Sequence, residues 1–569
     1  MSVLLDAKQQ LLKEIKNAIG KEYTPTIDDL LTPPDPTLGD IAFPCFVLAK
    51  ALKKAPNEIA IELAAKIAPK KFVKKVKADG PYVNFILCED VFGGALLEEI
   101  RKEKENYGKG KEKKEKRIMV EFAQPNTHKS LHVGHLRNFL VGQMIADVLK
   151  ANRYEVIPTS YINDLGRHVA QSLWCMKTFH KEEEVLKDER TQYLAKVYKE
   201  GATKSKKSKK AEKEISKIFQ ELEEMEGEDL VLWKETRKWS IEYFKSVFKE
   251  LGMTIDAYYF ESELLEETRK IIKELLEKGI AEESEGAVIV RLEEEGLGVF
   301  VLVRSDGTLL YTAKDLALAI KKDKDYNLHR SLYVIDARQA LAMKQAFKTL
   351  EKNGFKKELE HISYEFVTTP EGAMASRTGN VIKYEDLRDQ MIVLAKEETA
   401  KRHEDWNDEK IEEVANRISF AAIRFGMLKQ DLDKKIVFDM QEALSFEGFT
   451  GPYLLYTYAR AKRILEKAGK VKKIKTAAKL SLSVEHKLIV QLAQFPEVVF
   501  KAGRTLQLSA VAQYVFALAQ TFAEFYHAAH VLQEEDEEVR MQRLNLVQAT
   551  AQVLANGLAL MKIETLEEM

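Results

Sequence analysis

The sequence predicts a multidomain α/β protein, in which a parallel sheet covered by helices lies between a small α+β domain and a long all-α domain. Three observations carry this. The chain has 569 residues, too many for one hydrophobic core, so about three to four domains are expected. From Arg117 onward, apolar runs short enough for buried strands alternate with segments of helical periodicity, the pattern of strands joined by crossover helices. Beyond about residue 405 no strand signal survives, and long amphipathic segments run to Met569.

Composition narrows the class. Hydrophobic residues make up 45% of the chain, enough for packed interiors, and 31% are charged. Lys and Arg total 89 against 90 Asp and Glu, a formal charge of −1, so any RNA contact must come from local patches. The three cysteines, Cys45, Cys88 and Cys175, are far apart and form no C-x-x-C pair. They read as reduced core residues of a cytosolic protein and argue against a Cys-ligated zinc site, so no structural metal is expected. Met1 to Lys16 contains an acidic residue and no apolar h-region, unlike a signal peptide. No apolar run approaches bilayer length, and a cytoplasmic protein with no membrane contact is expected.

In chain order, residues 1–20 show helical spacing ending at Gly20. Thr32-Pro-Pro-Asp-Pro36 is a rigid break, after which Gly39-Asp40 leads into a helix reaching Lys54. Pro56 suits the first turn of the next helix. Extended runs Phe72 to Lys77 and Tyr82 to Leu87 are joined by Ala78-Asp-Gly-Pro81. Residues 1–110 thus read as an α+β domain of their own. Lys109 to Arg117 is a charged linker.

The next domain, 111–405, is organised around one stretch. Ile118 to Phe122 reads as a buried strand, the chain breaks at Pro125-Asn126, and helical periodicity restarts through Phe139, Ile145 and Leu149. A strand running through a loop into a helix N-terminus offers unpaired N–H groups and a positive dipole end to an anion. His132 and His135 flank Gly134 at that junction. Imidazoles donate hydrogen bonds to phosphate oxygens, and glycine lets a ligand ring approach the backbone. The plain alternative is a helix start with incidental histidines; a nucleotide site is the better reading.

Tyr154 to Ile162 is the next strand, closed by the polar Asn163-Asp-Leu-Gly166, and strand C-termini are where such sheets bind ligands. A helical insertion at about 181–250 interrupts the pattern and includes a lysine-rich tract, Lys204 to Lys210, read as a solvated loop. The sheet is expected to resume with a hairpin from Val299 to Tyr311, turned at Asp306-Gly307. A helix carries Lys314-Asp315, and the strand Ser331 to Ile335 leads through Asp336 and Gln339 into another helix. A polar loop with hydroxyls and a cation follows, Met374-Ala-Ser376-Arg377-Thr378-Gly-Asn380. In the last domain, 406–569, Tyr456 to Lys479 holds nine basic residues and one acidic, Glu466. With Tyr453, Tyr456 and Tyr458 this is an RNA-binding candidate, since bases stack on aromatics while lysine and arginine hold phosphates. A helix with a buried tyrosine face and solvated lysines explains the same residues equally well.

Taken together these motifs resemble a class I aminoacyl-tRNA synthetase, and more narrowly the arginyl-tRNA synthetase family, over nearly the whole chain. His132-Val-Gly-His135 resembles the first class signature and Met374-Ala-Ser-Arg-Thr378 a degenerate second one. Glu121-Phe-Ala-Gln-Pro-Asn126, Tyr161-Ile-Asn-Asp-Leu-Gly-Arg167, Asp306-Gly-Thr-Leu-Leu-Tyr311-Thr-Ala-Lys-Asp315 and Gly451-Pro-Tyr-Leu-Leu-Tyr456-Thr-Tyr-Ala-Arg460 follow in the family's order. So do Gly80-Pro-Tyr82-Val-Asn84 near the start and Ala555-Asn-Gly557-Leu near the end. The sequence departs from the family at Arg377 and Thr378, where lysines are usual, and at Ala342, Phe449 and His527-Ala-Ala-His530.

The resemblance implies a Rossmann-like catalytic domain and two steps: arginine and ATP give arginyl-adenylate, and a tRNA ribose hydroxyl then takes the arginyl group. Lys129, His132, His135 and Arg377 are the implied catalytic residues, with Gly134 and Ser376 joining His132, His135 and Arg377 around ATP and its Mg²⁺. Glu121, Asn126, Tyr311, Asp315 and Gln339 are implied for arginine. Tyr82, Asn84, Tyr456 and Arg460 are implied for the cognate tRNA(Arg), and the expected state is a monomer. A nucleotidyltransferase or another amino-acid ligase with the same His-x-Gly-His logic is one rival. A catalytically dead RNA-binding relative is the other.

Overall fold

The computed structural model describes residues 2–569 apart from 22, 34, 182, 207, 371–381, 475, 476 and 478. The chain divides into two compact units. One comprises Met1–Lys111, Thr399–Ala422 and Leu444–Met569; the other comprises Glu112–Glu398 and Ile423–Ala443.

In the first unit, helix Val3–Ile19 starts where the Ser2 hydroxyl accepts the Leu5 N–H, and it stops at Gly20, whose φ of 82° suits a residue without Cβ. Its buried Leu4, Ala7, Leu11 and Ile15 recur at helical spacing. Helix Pro56–Lys66 has its proline at the first position. Strands β1 (Ile41–Pro44), β2 (Val73–Asp79) and β3 (Tyr82–Leu87) form an antiparallel sheet of order β1-β3-β2. β1 replaces the start of the helix expected after Gly39-Asp40, and the helix is cut to Phe46–Leu52. Ile41, Ala42 and Phe43 are all buried against β3, and Pro44 cannot continue a helix that begins before it.

Four long helices, Gly451–Ala468, Ser483–Thr505, Ser509–Ala529 and Glu537–Leu560, make much of the rest of this unit's core. Leu488, Leu492, Val515, Phe522, Val553 and Leu554 are fully buried among them. The Tyr107 hydroxyl donates to the Leu492 carbonyl at 3.0 Å, and Asp40 accepts from His486 at 2.9 Å, so the N-terminal segment packs on these helices.

In the second unit come β4 (Arg117–Glu121), β5 (Glu155–Ile162), β6 (Ala257–Phe260), β7 (Glu282–Ser284), β8 (Ala287–Leu292), β9 (Gly298–Val303), β10 (Arg330–Asp336) and β11 (Glu358–Tyr364). Five of them build one sheet of order β11-β10-β4-β5-β6, parallel throughout. From β4 the chain steps to β5 on one side, and β10 later fills the other. The carboxyl ends of β4 and β10 therefore face a crevice where the strand order reverses, the usual ligand position in such sheets. Helix Val133–Ala151 crosses from β4 to β5 and packs tightly: a Cβ on Gly142 would stand 2.1 Å from Phe122 Cγ.

Several expectations are corrected. The parallel sheet resumes after the insertion at β6, a four-residue edge strand with little pattern of its own. The Val299 run is β9, which pairs antiparallel with β8 in a separate sheet, β7-β8-β9. The turn at Gly307 is present, with φ of 80°, but its second arm makes a single bridge, Val303 to Leu309, before helix Tyr311–Tyr326 begins. The solvated loop in the lysine tract is short: helix Arg190–Ser205 ends and Lys209–Glu224 begins within it, the Ser208 hydroxyl accepts the Ala211 N–H, and Lys204, Lys206, Lys209 and Lys210 are exposed. The insertion is completed by helix Asp229–Glu250. Past residue 405 a short strand does occur, β13 (Ile436–Val437), which pairs with β12 (Val367–Thr368). Two residues are too few to leave a periodic signal.

Candidate active site

A cavity of about 1570 Å³ opens at the carboxyl ends of the parallel strands, larger than one drug-sized molecule needs. Glu121, Asn126, His132, Gly134, His135, Tyr311, Asp315 and Gln339, all singled out from the sequence, line it together.

At one end lie three carboxylates. Glu121, the last residue of β4, is 2% exposed; it accepts from Gln124 at 3.2 Å and is ion-paired with Lys322. Glu261, just past β6 and also buried, pairs with Lys314 at 2.5 Å and accepts from Asn163 at 3.1 Å. The Asp315 carboxylate has no hydrogen bond or ion pair among the described residues. Three carboxyl groups against two ammonium groups leave one, Asp315, without a cationic partner. Burial first, and then the Glu121 charge, push the Asp315 carboxyl well above its usual range, the state of an acid waiting for a cation. Glu223 stands 4.0 Å from Lys314; burial raises its carboxyl above the usual range, with the Lys314 and Arg269 charges opposing. Tyr311 is one turn before Asp315 in helix Tyr311–Tyr326, and its half-exposed ring borders the same end.

At the other end the two histidines form a reciprocal cap. Nδ1 of His132 accepts the Gly134 N–H at 3.1 Å, and Nδ1 of His135 accepts the His132 N–H at 3.1 Å. Their rings lie 3.8 Å apart. Burial, and then the charges of Arg338 and Lys129, hold His132 down at about 4, while burial and His132 hold His135 well below its ordinary value. Both rings are therefore neutral near pH 7. With Nδ1 accepting from the backbone in each, the network assigns the proton to Nε2. Two Nε2–H donors thus accompany the N-terminus of helix Val133–Ala151, a combination suited to phosphate oxygens. Gly134 has a second reason to be glycine: a Cβ there would stand 2.9 Å from the His132 ring.

Other expected residues are placed differently. Lys129 is half-buried with Nζ 5.2 Å from the centre of the Tyr198 ring, and it does not line the cavity. Ser376 and Arg377, with the rest of the second signature, lie outside the described residues. Tyr82 is half-buried, edge-on to the exposed Phe46 ring at 5.8 Å, whereas Asn84 is 2% exposed. Tyr456 is exposed and bonded to Arg460 at 2.7 Å; the Arg460 guanidinium also lies over Tyr526, 4.9 Å from its ring centre. Sequence reading missed Glu261, Lys314 as its partner, and Lys322. The one available signal was a carboxylate closing the short Ala257–Phe260 run. Among the described residues, the grouping of three metal-ligating side chains lies elsewhere, at Cys175, His180 and Glu200, none of which lines the cavity.

Three family descriptions match the chain in succession. They are the N-terminal domain of arginyl tRNA synthetase over residues 7–87, the class I (R) tRNA synthetase catalytic domain over 97–440, and the DALR anticodon binding domain over 454–569. The arginine–tRNA ligase of Bdellovibrio bacteriovorus is 37% identical over 572 residues, covering 98% of each chain. That of Clostridium acetobutylicum is 34% identical over 99% of this chain and 100% of its own. Among solved structures, the arginyl-tRNA synthetase of Thermus thermophilus is similar with a TM-score of 0.81 at 27% identity, over 99% of this chain and 100% of that one. The Plasmodium falciparum arginyl-tRNA synthetase shares the fold, with a TM-score of 0.81 at 20% identity.

Proposed function

The chain belongs to the arginyl-tRNA synthetase family, and from that premise we propose how its residues join L-arginine to tRNA(Arg) with consumption of ATP. The observation that carries the proposal is the charge count at the strand ends, where Glu121, Glu261 and Asp315 face two lysines and leave room for one cation. A guanidinium is permanently charged and planar, and carboxylates from different elements can grip it on more than one edge. Asp315 takes its charge, Glu121 and Glu261 accept its N–H groups, and Tyr311 covers it. Asn126 and Gln339 hold the amino-acid end.

A carboxylate oxygen of arginine attacks the α-phosphorus of ATP, and pyrophosphate leaves. The terminal ribose hydroxyl of the tRNA then attacks the acyl carbon, and AMP leaves. No protein nucleophile takes part, so positioning and charge neutralisation do the catalysis. The Nε2–H groups of His132 and His135 and the helix N-terminus hold phosphate oxygens. Gly134 and Ser376 bound the nucleotide. Lys129 and Arg377 neutralise charge as pyrophosphate departs, Lys129 by turning its flexible stem from Tyr198. Mg²⁺ arrives with ATP and needs few protein ligands.

Residues 1–110 and 406–569 are assigned to tRNA and 111–405 to catalysis. Tyr82 and the Tyr456–Arg460 pair present aromatic and cationic surface to nucleotides, while Asn84 lies buried in the same strand as Tyr82. We place the protein in the cytoplasm as a monomer; no helix among the described residues is long and apolar enough to cross a membrane. ATP–pyrophosphate exchange tests the reading. Exchange should require arginine, be tested with and without tRNA, and fail with lysine or citrulline. Exchange with another amino acid would favour a different ligase, and none under any condition a catalytically dead relative.

A further inference from the structure

The helical insertion holds a second chemical grouping, which arginine ligation does not use. Helices Arg167–Phe179 and Arg190–Ser205 approach closely at Gly201, where a Cβ would stand 2.5 Å from the Gln171 carbonyl oxygen and 3.1 Å from Cys175 Cβ. This approach sets Cys175 against Glu200, and His180 joins them from the end of the first helix. One donor atom from each of the three side chains lies within 4.8 Å of the others. Cys175 is 0% exposed, and its thiol has no hydrogen bond among the described residues.

The imidazole is the informative member. Nδ1 of His180 lies 2.7 Å from Glu183 Oε2, and Nε2 lies 2.9 Å from Glu200 Oε2. A neutral imidazole has one N–H, so it can satisfy one of these carboxylates and turns a lone pair to the other. A carboxylate on Nδ1 is how metal-binding histidines are oriented, with Nε2 left free to coordinate. The outer oxygens are already taken: Lys196 lies 3.1 Å from Glu183 Oε1, and Lys204 lies 2.6 Å from Glu200 Oε1. Each glutamate therefore turns a single oxygen inward.

We propose that Cys175, His180 and Glu200 form a binding site for a thiophilic divalent cation of the Zn²⁺ type, which clasps the two helices together. The ligands are the Cys175 thiolate, His180 Nε2 and one Glu200 oxygen, with water in the fourth position. Sulfur, nitrogen and oxygen donors together suit zinc better than calcium or magnesium. Ligand atoms around tetrahedral zinc are about 3.3–3.7 Å apart, so closure needs side-chain shifts of about 1 Å. On binding, the thiol proton leaves to solvent, and the thiolate and one carboxylate balance the two positive charges. Sequence spacing gave no sign of this, because the donors meet across two helices rather than within a C-x-x-C loop.

The test uses untagged, full-length protein freed of metal with a chelator and titrated with Zn²⁺ against a chromophoric chelator. One Zn²⁺ per chain, bound more tightly than about 1 µM, is expected. Co²⁺ in its place should show the near-ultraviolet thiolate-to-cobalt charge-transfer band. Cys175→Ser should abolish that band and weaken Zn²⁺ binding about tenfold or more, and Glu200→Gln, at a half-exposed position, should weaken it comparably. Should Cys175→Ser not fold, the wild-type cobalt band and Glu200→Gln decide. No stoichiometric binding by the wild type overturns the proposal. Unchanged affinity in both variants overturns it too.

Discussion

Lys322 and Glu121 form an ion pair across 201 residues of sequence, with Lys322 0% and Glu121 2% exposed. Lys322 does not line the cavity; it supports from behind a carboxylate that does. Removing one member of a buried pair strands the other, at a cost of about 3–5 kcal/mol. Lys322→Met should lose stability on that scale in urea denaturation. Saturating arginine should stabilise the variant more than the wild type, since a guanidinium can take over the charge of the lost ammonium. Equal stabilisation of both proteins would separate Lys322 from the pocket.

Asp315 is the pocket carboxylate without a lysine of its own. Asp315→Ala should lower kcat/KM for arginine by about two to three orders of magnitude, the scale of a lost buried charge pair, and ATP binding should survive. Asp315→Asn, similar in size, should be nearly as impaired. Near-normal charging by either variant would move the guanidinium site elsewhere.

Two groups of histidines should give stability opposite pH dependences. The unfolded chain protonates His132 near its ordinary 6.5, while the folded protein resists until about 4. Its contribution is therefore intact above 6.5 and declines as pH falls from 6.5 to 4, with His135 acting in the same direction. At His486 burial works downward, but the hydrogen bond and charge of Asp40, and then Glu89, outweigh it and raise the imidazole above 6.5, with Lys74 opposing. That contribution is complete below 6.5 and is lost as pH rises through the raised value. In urea midpoints measured across pH, His132→Gln should flatten the acid limb and His486→Gln the alkaline one. Changes on the same limb would show one assignment to be wrong.

Tyr82 and Asn84 should separate by kind of effect. Stacking of a base on an aromatic ring contributes about 1–3 kcal/mol, so Tyr82→Ala should raise the KM for tRNA by about tenfold and spare the melting temperature. Asn84→Ala, at a buried position in β3, should lower the melting temperature. A Tyr82→Ala protein with unchanged tRNA KM would mean that this sheet edge is not a nucleotide surface.

The parts of the fold legible in the sequence are those with local causes. Ile118, Met119 and Val120 are apolar because β4 is buried on both faces, Gly20 ends a helix, and Pro56 opens one. β6 was illegible because a four-residue edge strand leaves hardly any pattern, and β9 was misassigned because its real partner, β8, reaches it through the five-residue loop 293–297, a weaker hairpin signal than Asp306-Gly307. At the site, the positions of Glu121, Asp315 and the histidine pair could be inferred from motif order. The Nε2–H tautomers, the Lys322 support and the place of Glu261 could not, since each depends on groups that meet only after folding.

The contact of Gly142 with Phe122 has a consequence for how substrates meet. Phe122 follows Glu121 directly, and the helix bearing Gly142 begins at the histidine pair. The distance from carboxylate to imidazoles is thus gauged by a backbone-to-ring contact with no slack, together with the 2.7 Å hydrogen bond from the Ala123 N–H to Asn138 of the same helix. A methyl group at position 142 would lift the helix from the strand and carry the phosphate donors away from the guanidinium acceptors. An arginine held at one end would then present its carboxylate short of the phosphorus at the other, with each half-site still able to bind its own ligand.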